Sequence, residues 1–555
     1  GRRPFIQPSS SRHARAAPMA PWRTPTVSPE LLPLRAEGRW IVDSRGNRFR
    51  LKCANWYGSS GGRFQPLGLH ARSARDLISQ LATWGFNCVR LPFSLELYFK
   101  NPEVEAAWPL PAAGNATSGG NATRVRALQL YDGIVAEITG AGLLVVVDNH
   151  SSEAGWCCEP SAPDGVWFTD HYPEARWVEA LAGMARRYRG NPHVVAVELR
   201  NEVRDTPGVQ AVWGSGDASG GKALADWPTA AELAGNAVLA EDPSLLVLVT
   251  GLCFGQDLRG AAERPLQLAL PGRLVWTSHS YHWFFWWHSS YFRDKCDRLG
   301  FVALGLAVLS ALSAICVAVR ARRTGRNRTT PRACFETSCG FIGLLGAVFV
   351  VYSTVKKSEE AACADKAQRD KGPFLVWGGV LLACGLSGLV LAALLRHRDC
   401  QRRAVLAAVR QREAADTVQK GASLREHLLP LLVWLALSLG AIALFFVSAS
   451  GYWLLADHLD RHWGFVLEEG QPYTAPVVLG EFGTSRSDDF WRALVRYVAE
   501  RDLDFAYWPL NGQKWNHDEG KLVEETYGLL DSSWTGVRHD WKLRDVIGYD
   551  AAAGR

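Results

Sequence analysis

Eight short apolar runs, rich in Val, Leu and Ile, recur along the chain, each bounded by turn-forming or charged residues. They are Arg50 to Asn55, Asn87 to Pro92, Leu143 to Asp148, Val194 to Leu199, Leu245 to Thr250, Leu274 to Ser280, Pro476 to Gly480 and Asp504 to Trp508. Runs such as LLVVVD and LLVLVT carry no polar alternation, so both faces of these strands are buried, as in a parallel sheet. Helix-length stretches separate them. Strand and helix alternating eight times predict a closed (β/α)8 TIM barrel of the α/β class.

A second pattern interrupts the first after strand six. Leu299 to Val319, Thr337 to Val355, Phe374 to Leu395 and Leu428 to Ala456 carry no charged residue. Each approaches the roughly 20 helical residues that cross a hydrocarbon core. The pattern predicts an α-helical four-span transmembrane insertion. The chain then divides into a low-complexity segment 1–36, a first barrel portion 37–298, the insertion 299–456 and a second barrel portion 457–555.

Charge gives the insertion a sidedness. The first loop holds Arg320, Arg322, Arg323, Arg326, Arg328 and Arg332 against the single acid Glu336. The loop 396–427 is again Arg-rich, whereas 356–372 balances its basic residues with Glu359, Glu360, Asp365 and Asp370. The excess of arginine places the first and third loops in the cytosol. Both barrel portions are then expected on the other side, so the chain reads as an integral membrane protein with an extracellular or luminal barrel. The sequons at Asn115 and Asn121 would be open to glycosylation there, and the one at Asn327 would not. The chain opens on Gly1 rather than Met, so its true start is expected upstream.

Composition narrows the chemistry. With 48% hydrophobic and 21% charged residues the chain can bury a large core. Its formal charge of +6 comes largely from arginines flanking the apolar segments, which gives no reason to expect a nucleic-acid face. Twelve cysteines show no paired CxxC spacing, so no metal site is expected, and no nucleotide loop calls for a cofactor. The adjacent pair Cys157 and Cys158 is open to pairing with Cys253 or Cys296, or to remaining as thiols. Among the twenty-three tryptophans, Trp156, Trp167, Trp283, Trp286 and Trp287 are candidates for a sugar-stacking cleft, the last two equally for a membrane-interface belt.

In (β/α)8 barrels the functional groups sit at the C-terminal strand ends. The polar residues there are Asn55, Arg90, Asp148, His150, Asn201, Glu202, His279, Tyr281, Glu481 and Trp508. Two carboxylates at different strand ends, with an arginine, an amide, histidines and a tyrosine, suit double-displacement hydrolysis of a glycosidic bond. Asp148 and Glu198 are read as structural.

These residues resemble glycoside hydrolase family 5, the cellulase and endoglucanase type. The Asn201–Glu202 pair in VVAVELRNEV is similar to the strand-four motif, which implies Glu202 as general acid/base and Asn201 as partner of the sugar 2-hydroxyl. GEFG at 480–483 resembles the strand-seven motif and implies Glu481 as nucleophile. Arg90 in NCVRLPFS matches the arginine that keeps the nucleophile ionised. His150, His279, Tyr281 and Trp508 match the remaining substrate-binding positions. The wording GWCCEP and ELRNEV resembles the plant and algal branch. Glu202 and Glu481 stand 279 positions apart, and excising 299–450 would leave 127, a spacing usual in the family.

The expected activity is membrane-anchored, retaining hydrolysis of β-linked glucan or a related polysaccharide. A glycolipid substrate, as in endoglycoceramidases, is an alternative suggested by an insertion on the catalytic face, and a non-catalytic membrane carbohydrate receptor is another.

Overall fold

The computed structural model describes residues 27–106, 123–158, 163–214, 221–282, 451–516 and 519–548. Its centre is a barrel of eight parallel strands: β1 Lys52–Asn55, β2 Cys88–Ser94, β3 Leu144–Ser151, β4 Val194–Glu198, β5 Leu246–Thr250, β6 Leu274–Ser280, β7 Val477–Phe482 and β8 Asp504–Tyr507. Each strand pairs with its sequence neighbours and β8 returns to β1, so the sheet has no edge. All eight coincide with the apolar runs read from the sequence, shifted by a residue or two at some ends.

Each strand is followed by a helix on the outside: α1 Ala74–Trp84, α2 Ala127–Gly140, α3 Glu174–Tyr188, α4 Trp227–Glu241, the single turn α5 Gly260–Glu263, α6 Gly451–His462, α7 Asp489–Glu500 and α8 Asp540–Ile547. Helix α1 illustrates the local logic. The Ser73 hydroxyl accepts the Asp76 N–H at 3.1 Å, Gly85 closes the other end in the left-handed region, and Leu77, Ile78 and Leu81 form the buried stripe.

Alternate strand residues serve two cores. Ala54, Val89, Leu91, Val145, Val147, Val247, Val249 and Leu479 pack outward with the helices. Cys53, Cys88, Leu144, Val146, Ala196, Leu246, Leu248, Val275, Val478 and Ala506 pack together in a second cluster, inside the barrel. The period of two along each strand creates both layers.

Three features depart from the sequence reading. Residues 27–36 were expected to be low-complexity, yet Val27, Leu32 and Leu34 join Ile41 in the inner cluster and stop the N-terminal end of the barrel. At the other boundary, Leu455 and Ala456 fall at the end of the fourth apolar stretch but are buried in α6 against the barrel core. The sulfurs of Cys157 and Cys158 are joined to each other rather than to Cys253 or Cys296, because a turn with Cys158 at φ +84° sets the neighbouring side chains together. A second disulfide links Cys53 to Cys88, register partners on β1 and β2.

Strands β6 and β7 are hydrogen-bonded neighbours although about two hundred residues separate them in the chain. The apolar stretches between them, apart from residues 451–456, lie outside the described residues, as do the sequons, Trp283, Trp286, Trp287 and Cys296. Among the described residues no helix is long and apolar enough to cross a membrane.

Candidate active site

The C-terminal strand ends converge on Arg90, whose guanidinium is buried and fully engaged. From β2 it donates Nη1 to Glu481 Oε1 at 2.8 Å and to Asn55 Oδ1 at 2.9 Å. Its Nε and Nη2 fork onto Glu198 at 2.6 and 2.9 Å. Nη2 also meets Asn201 Oδ1 at 2.8 Å and lies 3.2 Å from Asp148 Oδ2. One cation thus fixes side chains from β1, β3, β4 and β7. Burial alone would weaken its charge, but Asp148, Glu198 and Glu481 hold it firmly protonated.

Glu481 ends in two directed contacts. Oε1 accepts from Arg90, and Oε2 accepts from the Tyr281 hydroxyl at 3.0 Å. The glycines flanking the GEFG motif explain its wording. A Cβ at Gly480 would lie 2.3 Å from Thr277 Oγ1, and one at Gly483 would lie 2.2 Å from the Trp508 carbonyl oxygen. Register shifts also fall here, between Ser278 and His279 on β6 and between Leu479 and Phe482 on β7, and such irregularities re-aim side chains.

Glu202 has a different setting. Its backbone is left-handed, φ +43°, a conformation costing a non-glycine residue on the order of 1–3 kcal/mol. The turn is over-determined: the Asn201 N–H bonds the Asn149 carbonyl at 2.9 Å, and Arg204 Nη1 donates to the Glu202 carbonyl at 3.1 Å. Its carboxyl meets His279 Nδ1 at 2.9 Å. Burial pushes the Glu202 carboxyl up to about 7 and the His279 imidazole down to about 4. At neutral pH a partly protonated acid therefore faces a neutral imidazole.

His150 is held from behind by Asp148 Oδ2, 2.8 Å from Nδ1. Burial would lower this imidazole, but the Asp148 charge and hydrogen bond outweigh it and raise its pKa. Trp508 stacks on His150 with centroids 5.6 Å apart and on Tyr57 at 4.9 Å, and Trp156, 47% exposed, meets Tyr57 edge-on. The stack thus runs from the buried His150 through Trp508 and Tyr57 to the exposed Trp156.

All eight sequence-predicted site residues gather at this end of the barrel. Trp167 does not: it is buried among Trp177 and Trp227 in the outer core, with its indole N–H on Glu174 Oε2 at 2.7 Å. Conversely, Asp148 and Glu198, read as structural, touch His150 and Arg90 directly. Their signal was the inward register at the strand ends: Asp148 stands two residues before His150, and Glu198 two residues after the inward Ala196. Atoms of Glu202, His279 and Glu481 lie within 4.8 Å of one another, a span an ion could bridge, but hydrogen bonds within the cluster already use His279 Nδ1 and both Glu481 oxygens.

Fold and site together define the class: a closed (β/α)8 barrel with paired carboxyl groups at its mouth. The cellulase model, glycosyl hydrolase family 5, matches residues 42–298. An endoglucanase of Paenibacillus polymyxa is 31% identical over 267 residues, 44% of this chain and 59% of that protein. The major extracellular endoglucanase of Xanthomonas campestris pv. campestris is 32% identical over 255 residues, 44% of this chain and 48% of that protein. The chain thus spans about half the length of the curated relatives it matches. The solved catalytic domain of the Xanthomonas enzyme aligns with a TM-score of 0.50 at 20% identity, covering 93% of this chain and 100% of the domain, and so shares its fold.

Proposed function

We propose that the chain is a retaining β-glycosidase of endoglucanase type, hydrolysing β-linked glucan or a related polysaccharide. The observation that carries this reading is the carboxyl pair: oxygens of Glu202 and Glu481 approach within 4.8 Å, in opposite environments. Retaining enzymes hold their carboxyl groups about 5–5.5 Å apart, and inverting enzymes about 6.5–9.5 Å.

Glu481, held by Arg90 and Tyr281, attacks the anomeric carbon while Glu202 gives its proton to the leaving oxygen. The bond to the leaving sugar breaks as the bond to Glu481 forms. Glu202, now a carboxylate, takes a proton from water, whose oxygen displaces Glu481 and restores both groups. Neutral His279 exchanges a hydrogen bond with Glu202 through both steps. Asn201, with Oδ1 fixed on Arg90, turns its amide N–H groups to the Cys157 and Cys158 sulfurs at 3.5 and 3.6 Å, weak bonds that a sugar 2-hydroxyl replaces, and the exposed Trp156 suits the apolar face of a pyranose.

The four uncharged stretches and their arginine-flanked loops support anchoring in a membrane with the barrel on the extracellular or luminal side. The chain leaves β6 at the mouth, through Tyr281 and His282, which favours a lipid-linked β-glycoside as second reading. A panel of soluble β-glucans, mannan and glycosphingolipid, assayed with wild type, Glu202→Gln and Glu481→Gln, tests both. Reducing sugar from glucan that both substitutions abolish supports the first reading. Ceramide release alone supports the second, and rates indifferent to Glu481→Gln overturn the enzyme.

A further inference from the structure

The Cys157–Cys158 disulfide lies in the cleft wall, against the groups assigned to catalysis. Cys157 Sγ is 3.4 Å from His150 Nε2, and the Asn201 amide reaches the two sulfurs at 3.5 and 3.6 Å. Both sulfurs and a Glu202 carboxyl oxygen lie within 4.8 Å of one another. Both cysteines are partly exposed, whereas Cys53 and Cys88 are fully buried in the barrel interior, so a reductant in solvent meets the first pair selectively.

We propose that Cys157 and Cys158 form a redox-gated soft-metal site: reduced, the two sulfurs, Glu202 and His150 chelate a thiophilic divalent cation across the cleft. Opening the S–S bond takes two electrons and two protons from an external dithiol, or two electrons from a phosphine and two protons from the water whose oxygen ends on the phosphine oxide, and leaves two thiols. Binding the cation releases those two protons. Ligands on one tetrahedral ion, with metal–sulfur bonds of about 2.3 Å, stand about 3.8 Å apart, so the sulfurs separate by less than 2 Å on average from bonded contact. His150 Nε2, 3.4 Å from Cys157 Sγ, becomes the fourth ligand by moving closer to the other two. Its Nδ1 rests on Asp148, the carboxylate–histidine arrangement that aims the other ring nitrogen at a metal. Oxidised, the same sulfurs cannot chelate and instead pack against Asn201 and His150.

The metal site stands on these distances alone, whereas its consequence for catalysis rests on the function proposed above, because a cation on Glu202 removes the acid. The full chain, untreated or reduced with a water-soluble phosphine and desalted, is titrated with Cd2+ while thiolate-to-cadmium ultraviolet absorbance is recorded. Cys157→Ser/Cys158→Ser is treated identically. Reduced wild type is expected to bind one more Cd2+ per chain than the reduced variant and than untreated wild type, and peptide mapping of untreated chain to find the two cysteines joined. Equal cadmium stoichiometry in reduced wild type and variant, or both thiols open to alkylation before reduction, overturns the proposal. Should the double variant fail to fold, untreated wild type is the comparison. Glucan hydrolysis is read separately: loss of activity only in the reduced, cadmium-loaded chain extends the site to control of catalysis. An inactive untreated chain strikes the glycosidase reading and leaves the cadmium result to decide the site.

Discussion

The two ends of the barrel are made from the same strands and do opposite things. On β3, Leu144 and Val146 fill the inner floor, and two and four residues later Asp148 and His150 stand at the mouth. On β2 the step is from Cys88 to Arg90, on β4 from Ala196 to Glu198, on β6 from Val275 to His279. The floor buries apolar side chains stopped by Val27, Leu32 and Leu34, which stabilises the fold. The mouth buries the Arg90 guanidinium and four carboxyl groups, one of them on the strained Glu202, which costs stability and holds these groups in place. A few ångströms along one strand therefore separate residues that hold the barrel from residues that its stability supports.

Substitutions can break or sharpen that contrast. The largest effect belongs to Glu481→Gln, which should lower kcat by about 10⁴-fold or more while the chain still melts as one cooperative unit; steady-state rates beside a thermal melt check this. Glu202→Gln should cost about 10²–10⁴-fold in rate on substrates with poor leaving groups. Arg90→Ala leaves Asp148, Glu198 and Glu481 buried without their cation, and should destabilise the fold by about 3–5 kcal/mol in denaturant titration. Leu248→Ala in the floor should cost about 2–5 kcal/mol by the same measurement yet leave kcat within about twofold, since its side chain packs in the inner apolar cluster.

The pH dependence carries the same contrast. Glu202 binds its proton more tightly in the folded chain, at about 7, than an unfolded glutamate does at about 4.3. Its stabilising contribution is therefore complete below the unfolded value and is lost as pH rises through 7. Glutamine cannot ionise, so Glu202→Gln should raise the melting temperature over wild type at pH 8 and change it little at pH 4, a difference on the order of 3 kcal/mol. For the same reason kcat/KM should fall as pH rises past about 7. A melt in which Glu202→Gln is less stable than wild type at pH 8 would remove the mouth from the list of strained regions.

Much of this was legible in the chain. Strands buried on both faces leave continuous apolar runs, so all eight could be read, and polar residues at their ends could be read as the site because a barrel makes strand ends converge. What was not legible depended on three-dimensional neighbours. Asp148 and Glu198 looked like ordinary strand-end acids until Arg90 and His150 were seen against them. Val27, Leu32 and Leu34 are too widely spaced among Pro, Ser and Arg to show a period, since they plug a barrel rather than pave a helix face. Trp167 could not be told from Trp156 because a tryptophan serves a core or a cleft equally well, and only packing against Trp177 and Trp227 decides. Adjacent cysteines gave no hint of joining each other, since that bond needs the left-handed turn at Cys158.

The most direct test of the central claim, that Glu202 and Glu481 work as an acid and a nucleophile at the mouth, is the stereochemistry of the first product. Proton NMR of a soluble β-linked oligoglucoside, followed from the first minutes of hydrolysis by the full chain, reads the new anomeric centre before mutarotation. The account predicts the β anomer first, with the α anomer growing in later. The α anomer first would mean single displacement by water and would contradict it.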